Sequence, residues 1–159
     1  MKRQLFAAGD LFCVPLPSGG YGLGLIARKS PAGIVLGYFF RCRFDTCPGL
    51  DDLTRIGKRD VVLMRLFGGV GLARGDWPIL GPLPGWQPGE WPMPTFGWKL
   101  SLGQEAYVRR EYSEDPARMI REVRIGKDEF ERLPEDGVDG FLALAIGLEA
   151  ILREMPDRN

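Results

Sequence analysis

Residues 11–40 read LFCVPLPSGGYGLGLIARKSPAGIVLGYFF, and this stretch decides the fold. Two clusters of proline, glycine and serine, at 16–20 and 30–33, interrupt three apolar segments. Because proline and glycine supply the fixed and positive φ angles that a tight reversal needs, the pattern predicts a β-hairpin followed by a third strand. The predicted strands are Leu11–Pro15, Tyr21–Arg28 and Ile34–Phe40. The third is apolar at both alternating sets of positions, which favours a central strand buried on both faces.

The second predicted strand contains a glycine motif that needs an explanation. Alternation places Tyr21, Leu23, Leu25 and Ala27 on one face and Gly22, Gly24, Ile26 and Arg28 on the other. Residues 22–27 also match G-x-G-x-x-A, a pattern that binds a dinucleotide pyrophosphate where a helix begins. The Pro/Gly cluster at 30–33 leaves no room for such a helix, so we do not predict a nucleotide site.

Further along the chain, the same reasoning predicts more strands and one long helix. Val61–Phe67 is a second doubly apolar strand, and 51–57 is a single helical turn. Tyr107–Tyr112 and Met119–Ile125 form a hairpin around residues 113–116, with charge pairs across the strands. From Asp139, apolar residues recur every three or four positions, which indicates a helix. Its core-facing side is predicted to carry Phe141, Leu144, Ala145, Leu148, Ile151, Leu152 and Met155, and its solvent side Glu149, Arg153 and Glu154.

These elements predict a mainly β (α+β) fold: a twisted, partly closed antiparallel sheet with one C-terminal helix packed on it. The 159 residues are enough for one domain, with residues 1–8 as a lead-in. The β-rich body is expected over 9–125, and a linker with the C-terminal helix over 126–155.

Residues 76–98, which we call the wrap, hold all four tryptophans and six prolines. So much proline excludes a helix or an interior strand, so the wrap should cross the sheet as an extended segment. In one interpretation, Trp77 and Trp98 cover an open face of the core. In the other, Trp86 and Trp91 are exposed anchors for a partner.

Composition excludes several classes of function. The chain has no histidine, which rules out Ser-His-Asp and Cys-His catalysis and histidine-ligated metals. Lysine plus arginine and aspartate plus glutamate both number 21, and the isoelectric point is about 6.3, so a nucleic-acid surface is disfavoured. Residues 1–100 carry 12 basic and 7 acidic side chains, and the remainder carries 9 and 14.

The three cysteines, Cys13, Cys42 and Cys47, form no C-x-x-C pair and are expected to be reduced packing residues. Cys42 lies between Arg41 and Arg43, which would lower the pKa of its thiol if they surround it. Because the spacing places no acid–base pair, we predict neither an enzyme nor a cofactor or metal site. The chain shows no signal peptide and no membrane span, which favours the cytoplasm.

Three blocks of the sequence resemble one family. GDLFCVPLPSGGYGLG at 9–24 resembles the opening of the immunity protein 26 family of bacterial polymorphic-toxin systems. DWPILG at 76–81 and LPEDGVDG at 133–140 are similar to two later blocks of that family. The resemblance implies a cytoplasmic, non-catalytic protein that binds a cognate toxin and neutralises it by occlusion.

With that partner in view, the predicted anchors are Trp86, Trp91, Tyr21 and Arg28. If the toxin is a nuclease with a basic cleft, Glu111, Glu114 and Asp115 could imitate phosphates. No nucleic acid or membrane partner is expected. The alternative function is a non-catalytic β-rich module that binds a small molecule or a peptide.

Overall fold

The computed structural model describes residues 3–53, 55–101 and 105–155. The strands in these residues are β1 (Asp10–Pro15), β2 (Tyr21–Lys29), β3 (Ile34–Phe40), β4 (Val61–Gly68), β5 (Ile79–Pro82), β6 (Phe96–Ser101), β7 (Glu105–Tyr112), β8 (Met119–Ile125) and β9 (Val138–Asp139). The helices are α1 (Val70–Arg74), α2 (Lys127–Glu131) and α3 (Phe141–Glu154), with 3₁₀ turns at Leu50–Leu53, Lys58–Asp60 and Pro88–Glu90. The predicted fold class is confirmed.

The strands divide between two sheets. The larger sheet has the order β5-β1-β2-β3-β4-β9, and the smaller has the order β6-β7-β8. All strand pairs are antiparallel except β4 and β9, where Leu66 is paired with Val138. Neither sheet closes into a barrel within the described parts of the chain.

β3 is the central strand that its apolar sequence predicts. Val35 and Phe39 pack into a core on one face of the larger sheet, which we call the helix-side core because α3 covers it. Leu36, Tyr38 and Phe40 pack into a second core on the opposite face, the wrap-side core. A strand buried on both faces has no room for alternating polar residues, which explains its continuous apolar sequence.

The glycines of β2 make space for large core side chains. A Cβ atom at Gly22 would lie 2.8 Å from Cδ2 of Leu148 on α3. A Cβ atom at Gly24 would lie 2.7 Å from Cε2 of the Phe12 ring. The G-x-G-x-x-A motif therefore lies within a strand, and its glycines serve packing, in agreement with the rejection of a nucleotide site.

Gly24→Ala is expected to destabilise the protein by about 1–3 kcal/mol, because Phe12 has no free space into which it can move. The Phe12 ring is fully buried and stacks on Trp77 at 5.6 Å between centroids. The measurement is urea unfolding, with Gly68→Ala as the matched control. Gly68 is also a strand residue, but a Cβ atom there would meet nothing within 4 Å. Equal stabilities of the two variants would contradict this account of Gly24.

The C-terminal helix α3 packs as predicted at most of its core-facing positions, although Ile151 and Met155 lie outside the helix-side core. Leu144, Ala145 and Leu148 are buried in the helix-side core. Glu149, which we predicted on the solvent side, is only 5% exposed, so that prediction is wrong. Its carboxylate accepts hydrogen bonds from the Ser18 hydroxyl at 2.8 Å and the Ser18 backbone N–H at 3.1 Å. Arg153 pairs with it at 2.9 Å, so the buried charge has partners on several sides.

The hydrogen bond from the Ser18 hydroxyl holds the pKa of Glu149 below its usual value. A carboxylate with a lowered pKa in the folded state stabilises the fold above its unfolded pKa, and this contribution is lost as the pH falls through the folded pKa. We therefore expect Glu149→Gln to be less stable than the wild type at pH 7, with a difference that shrinks towards pH 3. Urea unfolding at both pH values measures this, and the exposed Glu154→Gln serves as the control. A difference that is constant with pH would contradict the role of the ionised carboxylate.

The wrap begins at an edge of the larger sheet, covers the wrap-side core on its face and ends at an edge of the smaller sheet. Its β5 segment pairs with β1 at the edge of the larger sheet, and its end begins β6, an edge strand of the smaller one. This placement suits proline, which cannot donate a hydrogen bond to a neighbouring strand. Trp77 is 2% exposed within the helix-side core, so its predicted covering role is confirmed. Trp98 is half-buried in β6, and the guanidinium of Arg110 lies over its ring at 5.3 Å.

The cysteine prediction is partly wrong. Cys13 of β1 and Cys47 form a disulfide, so they are not reduced packing residues. Cys42 alone is free and half-buried. The odd number of cysteines and their irregular spacing do not predict this disulfide. Cys13 and Cys47 are 34 positions apart and come together only in the folded chain.

Residues 133–140 connect the two sheets through a buried polar network. Asp136, 1% exposed, accepts hydrogen bonds from Arg110 at 3.0 Å and from the Tyr112 hydroxyl at 2.8 Å, both on β7. Arg65 of β4 donates two hydrogen bonds to Asp139, each 2.9 Å long. The block LPEDGVDG thus holds the smaller sheet against the larger one, which is a structural role.

The β7–β8 hairpin carries the charge pairs that its sequence predicts. Arg110 stands opposite Glu122, and the two form an ion pair of 2.9 Å. Glu111 stands opposite Arg121 and is also paired with it. These contacts explain the alternation of arginine and glutamate on the two strands.

Candidate partner-binding surface

The structure brings together three of the residues predicted to bind a partner, Arg28, Trp91 and Glu114. Arg28 pairs with Glu114 of the β7–β8 turn. The same guanidinium donates to the backbone carbonyls of Trp91 at 3.1 Å and Pro88 at 3.2 Å. Arg28 therefore fastens both the wrap and the hairpin turn to the end of β2.

The face on which Arg28 lies differs from the one predicted by simple alternation. A β-bulge between Ile26 and Arg28 shifts the pairing, so that Arg28 stands opposite Leu36 of β3. Leu36 belongs to the wrap-side core, and Arg28 is turned to that side with it. An extra residue in a strand reverses the alternation beyond it, which a period-two pattern cannot anticipate.

Trp91 is not an exposed anchor, and the expectation that it would be exposed is wrong. It is 4% exposed in the wrap-side core. Its ring meets Tyr38 and Phe40 edge to face, with centroids 5.3 and 5.9 Å apart. The Tyr38 hydroxyl also donates to the carbonyl of Pro92, which fixes the wrap beside Trp91.

Trp86 and Tyr21 occupy separate places. Trp86 is half-buried and lies over Gly9, where a Cβ atom would come within 2.8 Å of the indole. Tyr21 is half-buried at the other end of β2, where its backbone exchanges hydrogen bonds with Phe44. Arg28 lies seven positions after Tyr21 along the extended strand, a distance of about 20 Å. Tyr21 therefore does not join the cluster around Arg28.

The three acidic residues predicted to imitate phosphates already have partners within the chain. Arg121 lowers the pKa of Glu111 through its hydrogen bond. Glu114 pairs with Arg28 but keeps 78% of its side chain exposed. The pKa of Asp115 is lowered by hydrogen bonds from the Ala117 backbone N–H and then from the Ser30 side chain. These carboxylates hold the hairpin turn in place, so their availability to a partner stays a prediction.

A cleft that the sequence analysis missed lies beside the wrap. One wall is the segment 55–59, and the other is formed by residues 83–85 and Glu90 of the wrap, with the nearly buried Trp91 between them. Its volume is about 560 Å³. Arg55, Lys58 and Arg59 are exposed, and none of them forms an ion pair with another described residue. We call this region the basic cleft.

A signal for the basic cleft exists in the sequence, but it is weak. Three cationic residues fall within positions 55–59, a density that is ordinary for a solvated turn. Only folding places the wrap opposite them. The cleft therefore depends on residues about 30 positions apart, which no local pattern connects.

A second exposed feature lies on the other side of the larger sheet. Leu142 and Ile146, one turn apart on α3, are 68% and 61% exposed. Val138 of β9 is 53% exposed. Leu142 and Ile146 give α3 an apolar outer face, which the amphipathic pattern did not predict because its apolar stripe was assigned to the core.

Burial raises the pKa of the Cys42 thiol to about 12, and the charge of Asp60 adds to this effect. The suggestion that Arg41 and Arg43 lower this pKa is therefore wrong.

In the described ranges, no three His, Cys, Asp or Glu side chains form a group that could hold a metal ion. Within the same ranges, no helix has the length and apolar character that crossing a membrane requires.

The chain matches the model of a protein family. The model of the family described as Immunity protein 26 matches residues 7–108, about two thirds of the chain. This range contains the blocks at 9–24 and 76–81 and the whole basic cleft. Comparisons with curated proteins and with solved structures found no match.

Proposed function

Since this chain belongs to the Immunity protein 26 family, we propose that it binds and neutralises a cognate bacterial toxin domain by stoichiometric occlusion. The family match over residues 7–108 is the observation that carries the proposal. In this proposal the protein is non-catalytic and acts in the cytoplasm of the bacterium that makes the toxin.

The arrangement of charged side chains supports a rigid binding protein. Arg28, Arg65 and Arg110 each hold two or more segments of the chain together. A surface fixed in this way loses little conformational entropy on binding, which favours affinity. Occlusion needs such a surface, because the inhibitor must cover the toxin without being rearranged by it.

Among the predicted anchors, the structure supports different roles. Trp86 is half-buried with part of its ring accessible, and we retain it as a proposed contact. Arg28 and Trp91 hold the scaffold, so we propose an indirect role for them. Tyr21 would belong to a separate part of the interface, at the opposite end of β2.

Co-expression tests the proposal directly. The chain is expressed with the toxin domain encoded by the neighbouring gene, and cell survival and co-purification are measured. We expect survival and a complex with equal numbers of the two chains. A toxin domain from an unrelated system is the control and should be neither bound nor neutralised. Killing despite expression of the folded chain, with no co-purification, would contradict the proposal.

The alternative is a module for a small molecule or a peptide, and one observation favours it. The basic cleft has a volume within the range of small-molecule sites, about 300–1,000 Å³. Such sites are usually lined by apolar groups, however, whereas this one carries three cations and one carboxylate. A folded chain that fails to bind the toxin domain but binds a metabolite in this cleft would favour the alternative.

A further inference from the structure

We propose that the basic cleft is the docking site for an acidic segment of the toxin domain, with carboxylates that pair with Arg55, Lys58 and Arg59. This inference rests on the proposed function and adds to it the surface used and the chemistry of the partner's contacting segment. Nothing in the family match assigns this role to these residues.

The first argument is the uneven pairing of charges. Eight arginines elsewhere, among them Arg28, Arg65 and Arg110, form ion pairs within the chain. Arg55, Lys58 and Arg59 have no such partner among the described residues, although they lie within five positions of one another. Only one acidic side chain, Glu90, lines the cleft with them. The cleft therefore has an excess of positive charge that a partner's carboxylates could balance.

The second argument is that apolar side chains lie beside the cations. Ile56, Leu83 and Trp91 also line the cleft. Packing of a partner's apolar side chain against them would exclude water, and charge-assisted hydrogen bonds strengthen where water is excluded. Because Trp91 is 4% exposed, the accessible apolar surface is mainly that of the half-buried Ile56 and Leu83. Cations beside this surface match a peptide that carries both carboxylates and an apolar side chain.

The third argument is the rigidity of both walls. Asp60 accepts a hydrogen bond of 3.0 Å from the Gly57 backbone N–H, which fixes the turn that carries Lys58 and Arg59. On the other side, Arg28 holds the carbonyls of Pro88 and Trp91. The walls are thus in place before a partner arrives, which lowers the entropic cost of binding.

Protein carboxylates fit this cleft better than nucleic-acid phosphates. Nucleic-acid binding draws on many phosphate contacts along a basic stripe. Here three cations line a short cleft of mixed polar and apolar character, in a chain with equal numbers of basic and acidic residues. The net charge gives no general attraction for a polyanion, so recognition must come from the local geometry.

The test compares two triple variants with the same change in charge. Arg55→Glu, Lys58→Glu and Arg59→Glu reverse the cleft. Arg118→Glu, Arg124→Glu and Lys127→Glu reverse three exposed cations of the smaller sheet and its following helix, which also lack ion pairs within the described residues. Binding of the neighbouring gene's toxin domain is measured by calorimetry, after thermal melts have shown that both variants fold. We expect the cleft variant to bind about 100-fold or more weakly, and the control within about 3-fold of the wild type.

A cross-linking measurement on the wild-type chain makes the result independent of variant folding. A carbodiimide joins a lysine amine to a carboxylate in direct contact, so Lys58 should be linked to an Asp or Glu of the toxin domain. Lys58→Arg keeps the charge but removes the amine, and should abolish this link while the complex persists.

Each failure has a separate meaning. A wild-type complex that the cleft variant forms equally well, without a Lys58 cross-link, overturns this inference and leaves the proposed function standing. No complex with the wild-type chain overturns both. Binding of a single-stranded RNA or DNA oligonucleotide at physiological salt, lost only in the cleft variant, would show that the cleft serves nucleic acid and would also overturn the inference.

Discussion

Asp136→Ala is expected to lower the free energy of unfolding by about 2–4 kcal/mol, because it removes the buried acceptor of two hydrogen bonds, one from Arg110 and one from the Tyr112 hydroxyl. The Asp136 side chain is 1% exposed and accepts hydrogen bonds from Arg110 and the Tyr112 hydroxyl. Burial, followed by the hydrogen bond to Asp136, raises the pKa of Tyr112 above its usual value, so the phenol stays a donor at neutral pH. Without the carboxylate, the Tyr112 hydroxyl loses its acceptor and Arg110 keeps only Glu122, so the contact between the sheets weakens.

Chemical denaturation of the purified variant measures this effect. Glu122→Ala is the matched control, since Glu122 pairs with the same Arg110 but is exposed. An exposed ion pair contributes about 0–1 kcal/mol, so the control should remain close to the wild type. If Asp136→Ala were no more destabilising than Glu122→Ala, the network would not be what joins the sheets.

Loss of the Cys13–Cys47 disulfide is expected to cost about 3–4 kcal/mol, because the bond closes a long loop in the unfolded chain. The two cysteines are 34 positions apart. Cys47→Ala is the cleanest change, since it removes the bond while Cys13, which is fully buried in β1, keeps its packing. Urea unfolding with and without a reducing agent measures the effect.

The reducing agent itself provides the control. It should destabilise the wild type to the level of Cys47→Ala and leave that variant unchanged. A wild-type unfolding curve that is insensitive to reduction would show that the disulfide contributes nothing to stability. The comparison also matters for the proposed compartment, because the cytoplasm keeps most thiols reduced.

The sequence allowed the local elements to be predicted well. The hairpin strands, the central β3 and the charged β7–β8 hairpin follow from turn residues and from alternation, which act over a few positions. α3 follows from its helical period for the same reason. The predicted alternation failed only beyond Ile26, where the bulge adds one residue.

Contacts between distant residues could not be predicted in this way. Glu149 has the sequence environment of a solvent-facing residue, and Ser18, which buries it, is 131 positions away. Trp91 lies in a proline-rich segment typical of exposed loops, yet Tyr38 and Phe40 enclose it. The basic cleft needs both 55–59 and the wrap. In each case, the contact that determines the residue's environment forms only in the tertiary fold.

The parallel pair of β4 and β9 also determines when the fold can be completed during protein synthesis. On the outer edge of β4, the side not paired with β3, Leu66 and Phe67 pair with Val138 and Asp139, about 70 positions later. Until the ribosome has released those residues, the outer edge of β4 carries unpaired backbone groups, which can capture a strand of another nascent chain. The ion pair between Arg65 and Asp139 also forms only when β9 pairs with β4. Strand β9 thus covers this edge at Leu66 and Phe67, and a nascent chain has that cover only after residues 138 and 139 have been synthesised.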